Sequence, residues 1–469
     1  MVFPSIKLKE ALRNLPKPWP IDPIPDIQEE IRKNPVRVFS LDDDPTGSQT
    51  VENVSLLTDW SVETLEKELV SDQEASFILL NTRSKTKFEA DSINKQVGKN
   101  LRQVSESYGT KISAISRSDS TLRGHFPSEI LALADVFMPN YDALLFLAFF
   151  WEGGRYTIND VHYVLDGDML VPVAKTAFAH DAAFGYKSSN LRNFMEEKFG
   201  GEVQASKVLS ISIEDIRVGG PDRVQDILMS LQEKKLCIVN AADMRDVDVF
   251  TLACLRAESN GKQFMYRTTA SFVRSRIGQS EHPLLTSKEV VANESGGGLI
   301  VVGSHVPSST DQLNELLKLP YVEGINMDVE AVLSEAPELV SSVIKRVDDA
   351  LSSSRDVVLY TSRDVITGST PEEYLEIGSK ITDTLAKIVA NQEIKPRFII
   401  SKGGTTSEKL LIDAMGVRKA IVPGQILPGV LVLELGPEAK YPELKMILFP
   451  GNVMGATSIA DIVRGFRNQ

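Results

Sequence analysis

The sequence predicts an α/β fold of two domains, each a largely parallel sheet flanked by helices. Three observations predict it. Short apolar runs alternate with longer stretches of helical period, the pattern of strands joined by crossover helices. The length, 469 residues, exceeds what a single hydrophobic core fills. A polar stretch at 279–295, closed by Gly296-Gly297-Gly298, separates two such alternating series. The chain is therefore read as a proline-rich arm (1–35), a first domain (36–290) and a second domain (291–469).

The arm opens MVFPSIKLKEALRNLPKPWP, and its prolines suggest an extended segment laid on the surface. The first strand, 36–41, runs directly into Asp42-Asp43-Asp44-Pro45-Thr46-Gly47. Strands follow at 54–57 and 76–80, helices at 62–69 and 91–108. A strand at 111–115 delivers the run ISRSDSTLRGHFPSE, after which come a helix at 126–137 and a buried strand at 143–149. The α/β pattern continues from 208 to 276 with a strand at 236–240. In the second series the strands are 299–302, 356–361, 397–401, 420–424 and 446–452, with helices at 311–317 and 407–415.

The bulk composition excludes several function classes. Net charge is −13, so the basic footprint of a nucleic-acid binder is missing. An anionic small molecule remains possible, because a site needs only a few local arginines. The two cysteines, Cys237 and Cys254, read as free thiols of a reducing compartment. The five histidines show no HExxH spacing and there is no CxxC, which argues against zinc. No run approaches the ~20 apolar residues of a membrane helix, nor does the N-terminus carry a signal-peptide core. Cytoplasm is the expected location, and a homodimer is expected on base rates alone.

In parallel sheets, sites form beyond the carboxyl ends of strands. Residues 42–44, 81–84 and 116–124 all follow predicted strands and could meet at one sheet edge. The acidic turn can accept a hydroxyl proton or hold Mg²⁺. Arg83, Arg117 and Arg123 offer planar donor forks that match a carboxylate or phosphate. Trp151-Glu152-Gly153-Gly154-Arg155-Tyr156-Thr157 follows another strand and adds a fourth cation, Arg155. In the second domain, Gly403-Gly404 lies between a strand and a helix, where backbone N–H groups approach an anion. Thr405 with Glu408, and Ser309 with Gln312, fit capping boxes. Further small-residue turns follow strands at Gly303-Ser304 and at 449–455. There is neither GxxxxGK[ST] nor GxGxxG, so the P-loop and NAD fingerprints are absent.

These motifs resemble the four-carbon acid sugar kinases, over roughly residues 36–465. Asp43-Asp44-Pro45-Thr46-Gly47 is similar to that family's Asp-Asp-x-Thr-Gly element, and Arg117-Ser118-Asp119-Ser120-Thr121-Leu122-Arg123-Gly124 to its most specific motif. Gly154-Arg155-Tyr156-Thr157 with His162, His180-Asp181, Gly303-Ser304, Gly403-Gly404-Thr405-Thr406 and Gly451-Asn452 correspond to later elements. The resemblance implies a sugar-acid-binding first domain and a nucleotide-binding second domain that close on each other, with ATP and Mg²⁺. It implies catalytic roles for Asp43 and Asp119. Substrate contacts would come from Asp44, Thr46, Gly47, Arg83, Ser84, Arg117, Ser120, Arg123, Gly124, Arg155 and His162. ATP contacts would come from Ser304, Gly403, Gly404, Thr405, Thr406, Gly451 and Asn452. No metal ligand is assigned. The chain departs from the family where Thr405 replaces a Glu, Pro45 an aromatic, and Asp42 extends the acidic turn. Its closing glycine turn is also longer by one residue. A non-catalytic sensor of sugar acid and nucleotide, and a sugar-acid isomerase, are the alternatives.

Overall fold

The computed structural model describes residues 3–44, 47–48, 50–291, 295–304, 306–363, 371–450 and 454–467, without the side chains of 371–375. The chain divides into two compact units, Met1–Val54 with Asp59–Glu281, and Ser55–Thr58 with His282–Gln469. Each is an α/β unit, as the sequence predicts.

The first unit carries β1 (Ile6–Lys7) and β2 (Arg37–Asp42); β3 (Val54–Leu57) follows in sequence, but 55–58 group with the second unit. Next come β4 (Ala75–Leu79), β5 (Ile112–Arg117), β6 (Ala143–Phe146), β7 (Arg155–Ile158), β8 (Val161–Asp166) and β9 (Met169–Pro172). The last three are β10 (Leu209–Ile211), β11 (Lys235–Val239) and β12 (Phe264–Thr268). The main sheet runs β10-β11-β6-β12-β5-β2-β4. Its pairs are parallel, from β10–β11 across to β2–β4. Helices cover both faces of such a sheet, which is why its strands read as near-continuous apolar runs. The register sets Asp42, Arg117 and Thr268 side by side at the carboxyl ends of β2, β5 and β12.

Two features differ from the sequence reading. The N-terminal stretch is not simply extended. Its β1 pairs antiparallel with β9, and the helix Ile24–Lys33 sets Ile24, Ile27 and Ile31 against Leu252 and Leu255. Proline in the first turn starts this helix instead of breaking it, because its missing N–H is one that a first turn leaves unpaired anyway. Arg217 fastens the stretch: it donates to the Pro16 carbonyl at 2.8 Å and bridges Asp246 at 2.7 Å. The second difference is the antiparallel sheet β1-β9-β8-β7, unread in the sequence beyond the turn at 151–157. Asn159 and Asp160, with φ of 52° and 65°, make the tight β7–β8 turn.

The second unit contains β3, β13 (Leu299–Val302), β14 (Val322–Met327), β15 (Asp356–Thr361), β16 (Ile399–Lys402), β17 (Lys419–Leu427), β18 (Val430–Leu435) and β19 (Lys445–Phe449). The order is β3-β17-β18-β19-β16-β13-β15-β14. The run from β19 to β14 is parallel, whereas β17, β18 and β19 pair antiparallel. Neither expected capping box forms. The helix Pro307–Leu317 begins after Val306, and Gln312 instead donates to the Met454 and Gly455 carbonyls. The helix Gly404–Lys409 starts at Gly403, with Thr405 inside it. Among the described residues, no helix is long and apolar enough to cross a membrane.

Ile27 is fully buried against the helix Met244–Ser259. Ile27→Ala is expected to cost about 2–4 kcal/mol, read as a lower midpoint of urea unfolding. An unchanged midpoint would mean the N-terminal helix contributes nothing to the unit.

Candidate active site

The carboxyl edge of the first sheet gathers the residues predicted from sequence. Asp43 and Asp44 follow β2, Arg83 follows β4, and Arg117 closes β5. Arg83 reaches three carboxylates: Asp43 at 3.8 Å, Asp119 at 3.4 Å, and Asp44 in direct contact. Arg117 lies 3.5 Å from Asp43 and 3.3 Å from Asp44. The Asp119 backbone N–H donates to Asp43 Oδ2 at 3.2 Å. So the three segments do meet. The acidic turn is neither a solvated rim nor an open cage, because Asp43 and Asp44 are held by arginines.

Environment separates Asp42, Asp43 and Asp119. Burial pushes the Asp42 carboxyl up to about 8; Arg117 opposes this and Asp43 adds to it. Asp42 Oδ1 accepts from the Ser40 hydroxyl at 3.2 Å, while Oδ2 has no hydrogen-bond partner among the described residues. A side chain at Gly47 would overlap this carboxyl. Burial likewise pushes Asp43 up, against the pull of Arg83 and Arg117. Asp119 goes the other way. Burial would raise it, but the charges of Arg83 and Arg123 and hydrogen bonds from Arg123 and Thr121 hold it well below the usual carboxylate range. Arg123 Nε donates to it at 2.8 Å. Asp43 is thus the carboxyl suited to take a proton, and Asp119 the one suited to orient donors.

Arg155, at the start of β7, has no carboxylate within ion-pair distance among the described residues. It donates to the Gly153 carbonyl, and its buried Nε finds no acceptor there. Burial lowers its affinity for its proton, yet a guanidinium keeps its charge at neutral pH.

His162 lies behind the site, fully buried on β8. Its Nδ1 meets the Thr157 hydroxyl at 3.0 Å, and its Nε2 the Ser120 carbonyl at 2.8 Å. Burial pushes it down to about 4, so it is neutral, and it reaches the site through Ser120. Ser84 is exposed and bonded locally to Asn81. Gly124 has φ +126°, and a Cβ there would press Arg267 Nη2 at 3.2 Å, so backbone and guanidinium can approach only at glycine. Thr46 lies outside the described residues.

Sequence reasoning missed the support beneath. Arg267, on β12, pairs with Glu129 at 2.9 Å and donates to Ser116 at 3.2 Å; Glu129 accepts from the Thr82 hydroxyl at 3.1 Å. All four residues are buried. The only signal was an arginine within the apolar run FMYRTT.

In the second unit, register aligns Val302, Lys402 and Phe449, the ends of β13, β16 and β19. Gly303-Ser304 and Gly403-Gly404 follow from two of them. A Cβ at Gly303 would meet Thr406 Oγ1 at 2.3 Å, so those two turns lie in close contact. Gly404 and Thr405 are exposed and Thr406 is buried. Two cations not singled out in the sequence join them. Lys402 Nζ donates to the Pro450 carbonyl at 2.5 Å over the Phe449 ring, and burial pushes it down to about 8. Arg363 donates to the Ser304 carbonyl at 2.8 Å, with buried Nε and Nη1 that find no acceptor among the described residues. Gly451 and Asn452 lie outside the described residues.

A family model for a sugar-binding N-terminal domain matches residues 38–276, and one for a nucleotide-binding C-terminal domain matches residues 299–458. The chain belongs to the four-carbon acid sugar kinase family. Two solved structures share its fold. One is a Haemophilus influenzae protein from a family of unknown function, 18% identical, covering 92% of this chain and 99% of its own, with a TM-score of 0.64. The other is a provisionally named tRNA synthase from Salmonella typhimurium LT2, 16% identical over the same shares, with a TM-score of 0.66. No curated protein matches.

The family's sugar-binding domain therefore carries the Arg–Asp cluster and its nucleotide-binding domain carries the glycine turns. Among the described residues there is no group of three or more His, Cys, Asp or Glu placed to hold a metal.

Asp42 yields a signed prediction. Its folded value, about 8, lies above its ordinary 3.8, so the folded state keeps a proton that the unfolded chain releases. The resulting stability is whole below pH ~4 and is lost as pH rises toward ~8. Asp42→Asn mimics the neutral form. It should be more stable than wild type at pH 7.5, by roughly 2–4 kcal/mol, with the gap closing toward pH 4. Urea unfolding at both pH values checks this; a gap independent of pH would contradict it.

Proposed function

We propose that the protein is an ATP-dependent kinase that phosphorylates a terminal hydroxyl of a small sugar acid. The substrate class is a four-carbon acid or a related branched one, such as a threonate, an erythronate or a 3-oxo-tetronate. The observation that carries the reading is the buried Arg–Asp cluster at the sheet edge of a sugar-binding domain, in a chain whose other domain is nucleotide-binding.

Phosphoryl transfer asks for positioning and charge neutralisation more than covalent chemistry. The substrate carboxylate docks on Arg155, whose charge has no carboxylate partner among the described residues, with Arg123 beside it. Ser120, Ser84, Asp44, Thr46 and the backbone at Gly47 and Gly124 meet hydroxyls. Asp119 fixes the directions of Arg83 and Arg123 through its ion pairs. The terminal hydroxyl oxygen attacks the γ-phosphorus and its proton passes to the Asp43 carboxylate. The bond to the β–γ bridging oxygen breaks, and ADP leaves. Arg83 and Arg117 neutralise charge on the transferred group. On the nucleotide side, Ser304, Gly403, Gly404, Thr405, Thr406, Gly451 and Asn452 cradle phosphates and ribose, and Lys402 and Arg363 add positive charge. Bound with the nucleotide, Mg²⁺ would supply further charge neutralisation on its phosphates.

An ADP-release assay over threonates, erythronates, 3-oxo-tetronates and branched analogues should give turnover with one or two of them. With that substrate, Asp43→Asn should lower kcat by roughly 10²–10⁴, the usual share of a general base. ATP binding without turnover on any acid would favour the sensor, and conversion of an acid without ATP the isomerase.

A further inference from the structure

Arg123 and Arg155 are neighbouring cations, and the charge of Arg123 opposes that of Arg155. Arg123 is partly neutralised by Asp119 at 2.8 Å and more distantly by Asp181 at 3.9 Å. Arg155 has no such partner among the described residues. It donates to the Gly153 carbonyl and is drawn from farther off by the Asp119 charge. Besides the Asp119 charge, both guanidiniums share one ring. The Arg123 guanidinium lies over Phe178, 5.0 Å from the centroid, and the Arg155 guanidinium lies 5.8 Å from the same centroid. Phe178 is half-exposed, on the one-turn segment Ala177–His180 that follows β9. The turn is anchored at both sides. Tyr186 bonds back to the Ala179 carbonyl through its N–H and to the Thr121 carbonyl through its hydroxyl at 2.6 Å. The Asp181 carboxylate accepts from the N–H groups of Ala183 and Phe184.

A ring and a carboxylate hold a guanidinium in different ways. A carboxylate occupies the N–H edge and cancels the charge. An aromatic face attracts the flat of the cation through its quadrupole and leaves the N–H edge and the charge available. We propose that Phe178 is a positioning residue: a neutral platform that fixes Arg123 and Arg155 together, so that their N–H groups not taken by Asp119, Thr121 and Gly153 bind the carboxylate of the sugar acid. This rests on the sugar-acid reading above and adds the element that sets affinity for the anionic end of the substrate. It also accounts for a large apolar ring left half-exposed in a polar site.

The experiment compares Phe178→Leu, which keeps bulk without the quadrupole, and Phe178→Tyr, which keeps the aromatic face. The first readout needs no ligand. Selectively labelled arginine side chains should show Arg123 and Arg155 signals shifted upfield by the ring in wild type and Phe178→Tyr, and unshifted in Phe178→Leu. The second is calorimetric binding of threonates, erythronates, 3-oxo-tetronates and branched analogues. Phe178→Leu should weaken the acid that wild type binds by roughly tenfold, and Phe178→Tyr should restore it. In turnover the loss should fall on KM for the acid, with kcat and KM for ATP unchanged. A role in folding alone would not produce that split. If wild type binds an acid and Phe178→Leu binds it equally, the platform is refuted while the substrate reading stands. Missing ring shifts in wild type refute the geometry. If wild type binds none of these acids, the substrate reading fails and the platform's role falls with it.

Discussion

The guanidinium of Arg83 meets carboxylates from two strand ends, and the site depends on that contact. Asp43 and Asp44 follow β2, Asp119 follows β5, and Arg83 follows β4 and touches all three. Without it the acidic turn would repel itself more strongly and the loop after β4 would lose its ion pairs to the other two segments. Arg117 contributes a second bridge to the same turn. Removing one partner of such a buried pair is far costlier than the pair's net worth, because it strands the other charge. Asp42 shows the cost in place: it is enclosed, one oxygen has no hydrogen-bond partner among the described residues, and burial pushes it toward its neutral form.

Around that contact the unit is built in layers. Parallel strands in register end at the same level, so Asp42, Arg117 and Thr268 fall side by side without any loop having to reach. Beneath lie the buried Arg267–Glu129 pair and neutral His162, which hold the loop through Ser116, Thr82 and the Ser120 carbonyl. Above lies Phe178 with the two arginines. The second unit repeats the logic with different chemistry. Val302, Lys402 and Phe449 end in register, and small residues let the turns after them crowd together.

Much of this was legible in the sequence, for identifiable reasons. Strands covered on both faces read as uninterrupted apolar runs, so 54–57, 299–302 and 356–361 carry the expected bounds. The polar run after β5 stood out because such density has no place in a core. The hidden parts share a different physics. The strands β7, β8 and β9 are short and joined by tight turns, so no long period marks them. The N-terminal helix begins with a proline that looks like a breaker. Arg267 hid inside a strand, Phe178 sits in a single turn with no periodicity, and Arg363 gains its meaning only from the Ser304 carbonyl it meets. Side chains that support a site from another element leave no local pattern.

On the proposed function, the arginine cluster of the first unit is an anion clamp for a sugar acid, independent of the nucleotide unit. Calorimetric titration of the assay-identified acid and, separately, of ATP into wild type and Arg155→Met tests this. The account predicts that acid affinity falls at least ~10-fold in the variant, the scale of a lost charge-assisted hydrogen bond. ATP affinity and the circular dichroism spectrum should stay unchanged. Acid binding that persists undiminished in Arg155→Met would contradict the clamp and place the anion elsewhere on the chain.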